Sequence, residues 1–468
     1  LAHMQLIPAL LGLNLGILLF LLVLTWLTGR SYCSAICPLG IFQDIAIWIS
    51  RKRDKKKHYD YRRALNRWRW GILLLIVVAG FSGFMFLVSL FDPYSAYGRI
   101  VVNVLKPLYL VVNNFLTWIF TMFDNYTFYY MDIIVTSVSA LIIAFVTLLV
   151  VGYLAYRYGR IYCNTVCPVG TLLGFISKYS LFKVHIDTSK CNSCGLCARK
   201  CKASCIDSKK HEIDYSRCVV CMDCIGKCKK GAIRYERPHK EVQKPLAAEK
   251  VTGVSPEQVD NARRAFFSAG AVFAASTLLK AQEKQVDGGL AVIEDKKIPE
   301  RRTPIVPAGS LSIRNFAQHC TACQLCVSVC PNQVLRPSGN LMTLMQPEMS
   351  YERGYCRPEC TKCAEVCPAD AIHPISPADK SSIQIGHAVW IKKNCVPLTD
   401  GVNCGNCARH CPVAAIEMVP SEVDNPDSPK IPVVNVERCI GCGACENLCP
   451  ARPFSAIYVE GHERHRVI

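Results

Sequence analysis

Residues 439–450 read CIGCGACENLCP, in which four cysteines are spaced C-x2-C-x2-C-x3-C and are followed by a proline. Loops with this spacing bind [4Fe–4S] clusters: three thiolates hold one cluster, and the fourth ligates its neighbour. The spacing therefore predicts a fold built around paired cluster-binding loops. Four groups follow it: Cys191, Cys194, Cys197 and Cys201; Cys218, Cys221, Cys224 and Cys228; Cys320, Cys323, Cys326 and Cys330; and Cys439, Cys442, Cys445 and Cys449.

Two further groups have a longer first loop but keep the ending C-x2-C-x3-C-P. They are Cys356, Cys360, Cys363 and Cys367, and Cys395, Cys404, Cys407 and Cys411. Zinc also binds C-x2-C pairs, but four near-identical runs of the iron–sulfur type favour iron. The six groups together predict six [4Fe–4S] clusters.

The pairing of the groups decides how each cluster is ligated. In the first two groups, cross-ligation predicts that Cys228 completes the first site and Cys201 completes the second. Among the later groups, either the outer two pair around the inner two, or consecutive groups pair. Cys205 belongs to no group, and we interpret it as a structural or spare thiol, with a swap of cluster ligands as the alternative. Segments 231–236, 414–420 and 455–460 predict the small strands of an α+β fold of the ferredoxin type.

Long apolar stretches indicate a membrane protein, in agreement with a mean hydropathy of +0.21. Residues 6–28, 70–91 and 133–156 are uncharged and long enough to span a bilayer. Residues 107–123 are shorter and contain two asparagines, so we interpret them as an interfacial or re-entrant segment on the outer face. Three spans would place residue 1 outside, and the sequence begins with Leu. We therefore expect a fourth span upstream.

The net charge of +18 is unevenly distributed. Residues 29–70 carry +8 and residues 157–264 carry +11, whereas residues 280–468 are neutral overall. The excess thus flanks the apolar stretches, as the positive-inside rule expects of cytoplasmic segments. We expect no nucleic-acid partner, and we place residues 178–260 in the cytoplasm.

Residues 261–282 read NARRAFFSAGAVFAASTLLKAQ, with two arginines before an apolar run of small residues. This pattern is typical of a twin-arginine export signal. An ordinary membrane anchor or a buried helix is the alternative. Because that export route moves folded proteins, we expect residues 283–468 to lie at the outer (periplasmic) face.

One motif occurs twice, as GRSYCSAICPLG at 29–40 and GRIYCNTVCPVG at 159–170. Cysteines at i and i+4 share one helical face, so the repeat predicts one site split over two helices. Its four thiols could ligate a seventh cluster, act as redox-active thiols, or only pack helix ends. The candidate catalytic residues are Cys33, Cys37, Cys163 and Cys167.

These motifs carry a family resemblance. Residues 1 to about 240, with apolar helices, two C-x3-C-P motifs and a two-cluster tail, resemble NapH-type membrane iron–sulfur subunits of quinol dehydrogenases. Residues 261–468 resemble NapG-type exported polyferredoxins with four clusters. The whole chain resembles a fusion of the two. NosR-type and related regulatory or assembly proteins share the membrane core, but the chain lacks an obvious flavin-binding outer domain.

The resemblance implies a bacterial inner-membrane protein that oxidises a membrane quinol, such as menaquinol, and passes electrons to a periplasmic cytochrome or terminal reductase. Candidate quinol-binding residues are Tyr32, Asp44 and Tyr162. A second candidate set is Asp92, Tyr94, Tyr97 and Arg99, in the loop FDPYSAYGR. C-x-x-C-H is absent, so we expect a relay without c-type haem. The alternative function is a maturation or metal-reduction factor for an oxidase or reductase.

The predicted fold class is thus a membrane α-helical domain followed by two α+β ferredoxin-like domains. Residues 1–177 form the transmembrane domain, and residues 178–240 form a cytoplasmic two-cluster domain. A linker with the export signal covers residues 241–282. Residues 283–468 form the four-cluster domain.

Overall fold

The computed structural model describes residues 2–54, 58–133, 137–237, 286–287, 291–292, 294–422 and 424–468. The described residues up to 237 and from 297 onward belong to one compact unit, and the described residues between 286 and 296 belong to a second. In that unit, Val286–Asp287 pairs antiparallel with Ala291–Val292. The predicted twin-arginine segment at 261–282 lies outside the described residues.

The first part of the chain is helical. Its α-helices are Leu6–Leu11, Leu15–Thr28, Ser31–Ala35, Pro38–Arg53, Asn66–Phe81, Met85–Phe91, Pro93–Ile100, Lys106–Thr121, Val138–Tyr158, Ile161–Thr165 and Pro168–Ser177, with a 3-10 turn at Ala2–Met4 and a π-helical turn at Val101–Leu105. Many apolar side chains on these helices are exposed, among them Leu15, Leu19 and Phe20. Such surfaces are unusual on a soluble monomer and suit contact with lipid.

Two helices among the described residues are long and apolar enough to cross a membrane. They are Pro93–Thr121, with a mean hydropathy of 1.4, and Val138–Tyr158, with a mean hydropathy of 2.6. The second corresponds to the predicted span at 133–156. The first contains residues 107–123, which were predicted to be an interfacial or re-entrant segment. They form instead part of a continuous helix of 29 residues.

The other two predicted spans are interrupted, so the structure differs from the three-span expectation. Gly12, Leu13 and Asn14 separate Leu6–Leu11 from Leu15–Thr28, with Leu13 at φ 50°. The Asn14 side chain caps the second helix by accepting from the Ile17 amide (3.4 Å). Residues 82–84, with Gly83 at φ 83°, interrupt the stretch 70–91 in the same way. The resulting helices of 14 and 16 residues are about 21–24 Å long, shorter than the roughly 30 Å hydrocarbon core.

The two repeats occupy equivalent positions in the helical part. Leu15–Thr28 leads into the first repeat and packs against Pro168–Ser177 of the second. Val138–Tyr158 leads into the second repeat and packs against Pro38–Arg53 of the first. The apolar helices therefore deliver both cysteine pairs to the same place.

Residues 183–236 form a small domain on the Thr28 end of this helical part. Lys183–Ile186 pairs antiparallel with Ile233–Glu236, within the predicted strand segment 231–236. Its other elements are the strands Ile206–Asp207 and Glu212–Ile213, the helix Leu196–Lys200 and a 3-10 turn at Ile225–Lys227. The Leu181 and Phe182 amides donate to the Trp26 and Leu27 carbonyls (2.8 and 3.0 Å). The two parts share one hydrophobic core.

Residues 297–468 form a domain of short helices and two-stranded antiparallel sheets. Ile383–Trp390 pairs with Ile457–Val467, Ile416–Glu422 with Asn425–Val434, and Leu335–Pro337 with Pro347–Met349. The helices are Ile313–His319, Leu325–Val329, Lys362–Glu365, Pro377–Ser382, Val396–Thr399, Asn406–Arg409 and Ala444–Asn447, with a 3-10 turn at Lys392–Asn394. The strands predicted at 414–420 and 455–460 are confirmed. Two hydrophobic cores fill this domain, each lined by cysteines.

Candidate metal centres

The four cysteines of the repeats converge on one buried site, called here the tetrad: Cys33, Cys37, Cys163 and Cys167. Each is at most 5% exposed, and every pair among the four thiols lies within electrostatic range. Cys37 and Cys167 are the N-caps of helices that begin with proline. Proline suits that first position because its missing N–H would have no helical partner there. The prediction of one site split over two helices thus matches this geometry.

Two arginines connect the repeats around the tetrad, because each donates hydrogen bonds from its own repeat to the other. The Arg30 Nη2 donates to the Cys163 carbonyl (3.1 Å), and the Arg160 Nη1 donates to the Cys33 carbonyl. Both side chains are fully buried. The Arg30 Nη2 also lies 3.7 Å from the Cys33 sulfur. Neither arginine was among the predicted site residues, although their place in the repeated GR-x-Y-C was a signal for a shared role.

Gln43 is a further residue that the sequence did not single out. It is fully buried, and its Nε2 lies 3.3 Å from the Cys163 sulfur. An amide in this position donates to a thiolate and stabilises the anionic form that binds metal.

The predicted quinol-binding residues divide into two kinds. Tyr32 and Tyr162 are buried next to the tetrad, and the Tyr32 hydroxyl donates to the Gln5 Oε1 (2.6 Å). Asp44 instead pairs with Arg160 (2.6 Å) and with Lys202 (3.6 Å). Its carboxylate therefore has a structural role, which fixes Arg160 and joins the helices to the domain of residues 183–236.

In the domain of residues 183–236, one cavity is lined by the sulfur-bearing residues Cys201, Cys218, Cys221 and Cys224. This is the cross-ligated set predicted for the second group. Cys205 lines the same cavity and lies 3.5 Å from Cys201, sulfur to sulfur. The Cys205 thiol is a hydrogen-bond partner of Cys201, and this bond lowers the pKa of Cys201 to about 6. Cys205 thus contacts the cavity's predicted ligands, as a structural thiol would.

The later groups pair consecutively rather than in the nested order. Each cavity takes three cysteines from one group and one from its sequence neighbour. The cavities are lined by Cys320, Cys323, Cys326 and Cys367; by Cys330, Cys356, Cys360 and Cys363; and by Cys395, Cys404, Cys407 and Cys449. Cys439, Cys442 and Cys445 lie together, with Cys411 near the first two.

The donor sets fit [4Fe–4S] clusters better than single ions. Zinc draws four thiolates to about 2.3 Å from one metal. Four thiols around a cavity are the arrangement that a larger iron–sulfur unit requires.

A buried lysine caps one of these sets. Lys380 is 7% exposed, and its Nζ lies 3.2 Å from the Cys356 sulfur. The same ammonium donates to the Arg357 carbonyl (2.6 Å) and to the Cys360 carbonyl. The enlarged x3 loop of this group thus wraps around a cation, which no sequence signal near the cysteines indicated.

Comparisons with known proteins agree with this chemistry. A family profile described as "4Fe-4S binding domain" matches residues 10–57 and 138–188, the two repeats, and one described as "4Fe-4S dicluster domain" matches residues 402–452. The methylamine utilization ferredoxin-type protein MauM of Paracoccus denitrificans is 31% identical over 193 residues, 38% of this chain and 77% of that protein. The ferredoxin-type protein NapF of Escherichia coli K12 is 29% identical over 162 residues, 34% of this chain and 87% of that protein.

The cysteine-lined cavities and the matching profiles define an iron–sulfur electron-transfer protein of the ferredoxin type. Within that class, the chain belongs to the family of ferredoxin-type proteins that includes MauM and NapF. The similarity to these two relatives covers little more than a third of the chain, so the role of the whole is proposed separately.

Proposed function

We propose that this protein is a membrane-bound iron–sulfur relay, which takes electrons from a membrane quinol and passes them to an acceptor at the outer face. In this proposal residues 178–260 lie in the cytoplasm and residues 283–468 in the periplasm, as in a NapH–NapG fusion. A [4Fe–4S] cluster in each cysteine set would supply one-electron transfer. The protein's own contribution is thiolate ligation, burial and the placement of charges around the sets.

One observation carries the proposal: the tetrad lies between the two ferredoxin-type parts and is near both. On one side, the Arg30 Nη1 donates to the Ser216 carbonyl (3.0 Å), two residues before Cys218. On the other side, Tyr162 lies next to the tetrad and near Arg99, which in turn lies near Cys323. A relay needs such an unbroken series of sites.

The apolar helices support a membrane location. In each of Pro93–Thr121 and Val138–Tyr158, only 22% of the most apolar window is buried within the protein. The helices of a soluble core would bury most of that surface. Lipid is the environment that suits it.

The tyrosines beside the tetrad support a quinol as the donor. The Tyr32 hydroxyl donates to the Gln5 Oε1 and the Tyr162 hydroxyl to the Phe91 carbonyl (3.5 Å), so each phenol oxygen can still accept a hydrogen bond from a quinol hydroxyl. Asp44 is left out of this role because its carboxylate is occupied by Arg160 and Lys202.

The experiment is anaerobic purification of the full chain in detergent, followed by iron counting and addition of menaquinol. We expect about 28 iron ions per chain if the tetrad holds a seventh cluster, and about 24 if it does not. Menaquinol should reduce the clusters of the wild type. In Cys33→Ser the clusters of residues 191–228 should persist, but quinol-linked reduction should be lost.

Ser34→Ala is the matched control, because Ser34 adjoins Cys33 and bonds only the Ser31 carbonyl. It should behave as the wild type. Normal quinol-linked reduction in Cys33→Ser would refute a redox role of the tetrad and leave it a packing site. Full iron content without a response to any quinol would refute the quinol donor and favour the maturation or metal-reduction function.

A further inference from the structure

Arg99 is a buried cation without an acidic partner in contact. Its side chain is 0% exposed, and its Nη2 donates to the Ser89 carbonyl (2.9 Å). Its Nε and Nη1 have no hydrogen-bond partner in the described part of the chain, and no ion pair found there includes it. Burying an uncompensated charge costs several kcal/mol. The fold therefore places this guanidinium where another negative charge is to be expected.

The groups facing Arg99 identify where that charge lies. Its electrostatic neighbours are Asp92, Tyr162 and Cys323. The Asp92 carboxylate accepts from the Ser95 amide and hydroxyl (2.9 and 2.5 Å), so it offsets part of the guanidinium charge from nearby without contacting it. Cys323 belongs to the cavity of Cys320, Cys323, Cys326 and Cys367. Four thiolates around one cluster give a site with net negative charge.

The helix that carries Arg99 touches the loop of that cavity directly. A methyl group at Gly98 would lie 2.5 Å from the Cys323 carbonyl oxygen, so only glycine allows this approach. Asn103, in the π-helical turn that follows, donates to the Gln324 Oε1 (2.6 Å). Lys106 donates to the Ser328 carbonyl (3.1 Å) at the margin. Turns of the π type recur at functional sites.

We propose that Arg99 is a positioning residue for electron entry into residues 297–468. Its guanidinium supplies the positive charge that favours the reduced state of the site formed by Cys320, Cys323, Cys326 and Cys367. The inference rests on the proposed function only in requiring that this site holds a [4Fe–4S] cluster. It does not depend on which donor reduces the protein.

The test is a redox titration of the full chain in detergent, monitored by electron paramagnetic resonance. In Arg99→Gln, we expect one cluster signal to move to a more negative midpoint potential, while the others stay unchanged. Arg99→Lys keeps the charge and should titrate close to the wild type. Lys106→Gln removes an exposed cation from the same contact and should move no midpoint. An unshifted Arg99→Gln with full iron content would overturn the proposal.

Asn103→Asp keeps the test decisive if Arg99→Gln fails to fold. It adds a negative charge at nearly constant volume one helical turn from Arg99. The Asn103 Nδ2 also donates to the Arg99 carbonyl (2.9 Å), a bond that the variant loses, whereas the Gln324 Nε2, which has no partner among the described residues, can turn to donate to the new carboxylate. The same signal should again move negative. No shift in this variant would overturn the proposal. Absence of cluster signals in the wild type would refute the proposed function itself, which is a distinct result.

Discussion

The crossed geometry of the tetrad can be tested without touching a cysteine or an arginine. Gly40 and Gly170 are equivalent positions of the two repeats, each in the first turn of its helix. A Cβ at Gly40 would lie closer than 3.0 Å to the Cys33 carbonyl oxygen, and one at Gly170 equally close to the Cys163 carbonyl oxygen. These carbonyls are the acceptors of the crossing arginines. Alanine at either position must therefore displace one of these carbonyls and weaken the hydrogen bond that the arginine donates to it.

The magnitude follows from three contributions. Alanine in a helix gains about 0.5–1 kcal/mol over glycine. Overpacking against a backbone carbonyl costs about 1–3 kcal/mol, and the lost bond from a charged arginine costs about 1.5–3 kcal/mol. We expect Gly40→Ala and Gly170→Ala each to lose about 2–5 kcal/mol of unfolding free energy. Gly71→Ala is the control, because no atom lies within 4 Å of its Cβ, and it should gain about 0.5–1 kcal/mol.

The assay is thermal unfolding of the three variants in the same detergent, with maleimide labelling of Cys33 and Cys163 in iron-free protein. Both thiols are buried and should label slowly in the wild type and in Gly71→Ala. They should label faster in Gly40→Ala and Gly170→Ala. If these two variants were as stable and as slowly labelled as Gly71→Ala, the repeats would not cross in this way.

Three further predictions concern the ferredoxin-type domains. Cys205→Ala removes a hydrogen bond to Cys201 worth about 1 kcal/mol, so redox titration should show one cluster with a midpoint potential about 40 mV more negative. An unchanged midpoint potential would contradict the hydrogen bond between Cys205 and Cys201. Lys380→Gln removes the ammonium beside Cys356 and should likewise lower one midpoint potential by tens of millivolts. Lys393→Gln removes an exposed cation that does not line this cavity and should lower none, so equal effects of the two variants would contradict the capping role of Lys380. Burial and neighbouring His462 lower the pKa of His465 to about 4. In the unfolded chain the His465 imidazole binds a proton near pH 6.5, so the free energy of unfolding should fall as the pH is lowered from 6.5 to 4. In thermal unfolding, His465→Gln should reduce this pH dependence. A pH dependence equal to that of the wild type would contradict the prediction.

The cluster-binding loops and their strands were predictable because their signals are local. The spacing C-x2-C-x2-C-x3-C specifies a loop, and the apolar segment after it specifies a strand such as Ile457–Val467. The pairing of the later groups was not predictable, since it depends on contacts between loops far apart in sequence. Consecutive pairing brings Cys367 to the first of these cavities, whereas the nested order would have brought Cys449 there.

The helix breaks escaped prediction for a different reason. A hydropathy window averages over about 20 residues, so Gly12 or Gly83 hardly changes it, although each marks the end of a helix. Conversely, residues 107–123 were predicted to be an interfacial or re-entrant segment, yet the helix continues through Pro107. It stands in the first turn of Lys106–Thr121, directly after a π-helical turn, where a missing N–H costs little.

The two repeats differ at the position that determines whether a carboxylate pairs with the buried arginine. Asp44 of the first repeat corresponds to Gly174 of the second, and Asp44 pairs with Arg160. Among the described residues, no acid pairs with Arg30 in this way. A Cβ at Gly174 would lie 2.5 Å from the Ser216 carbonyl oxygen, so only glycine lets this carbonyl approach. Arg30 donates to the same carbonyl. A carbonyl orients a guanidinium without cancelling its charge. On the side of the tetrad towards Cys218, Arg30 is therefore a buried cation that no carboxylate in the described part of the chain contacts. On the other side, towards Cys323, Arg99 is a second one. Since thiolate sets repel further negative charge, a buried cation on each side would favour the passage of electrons between them.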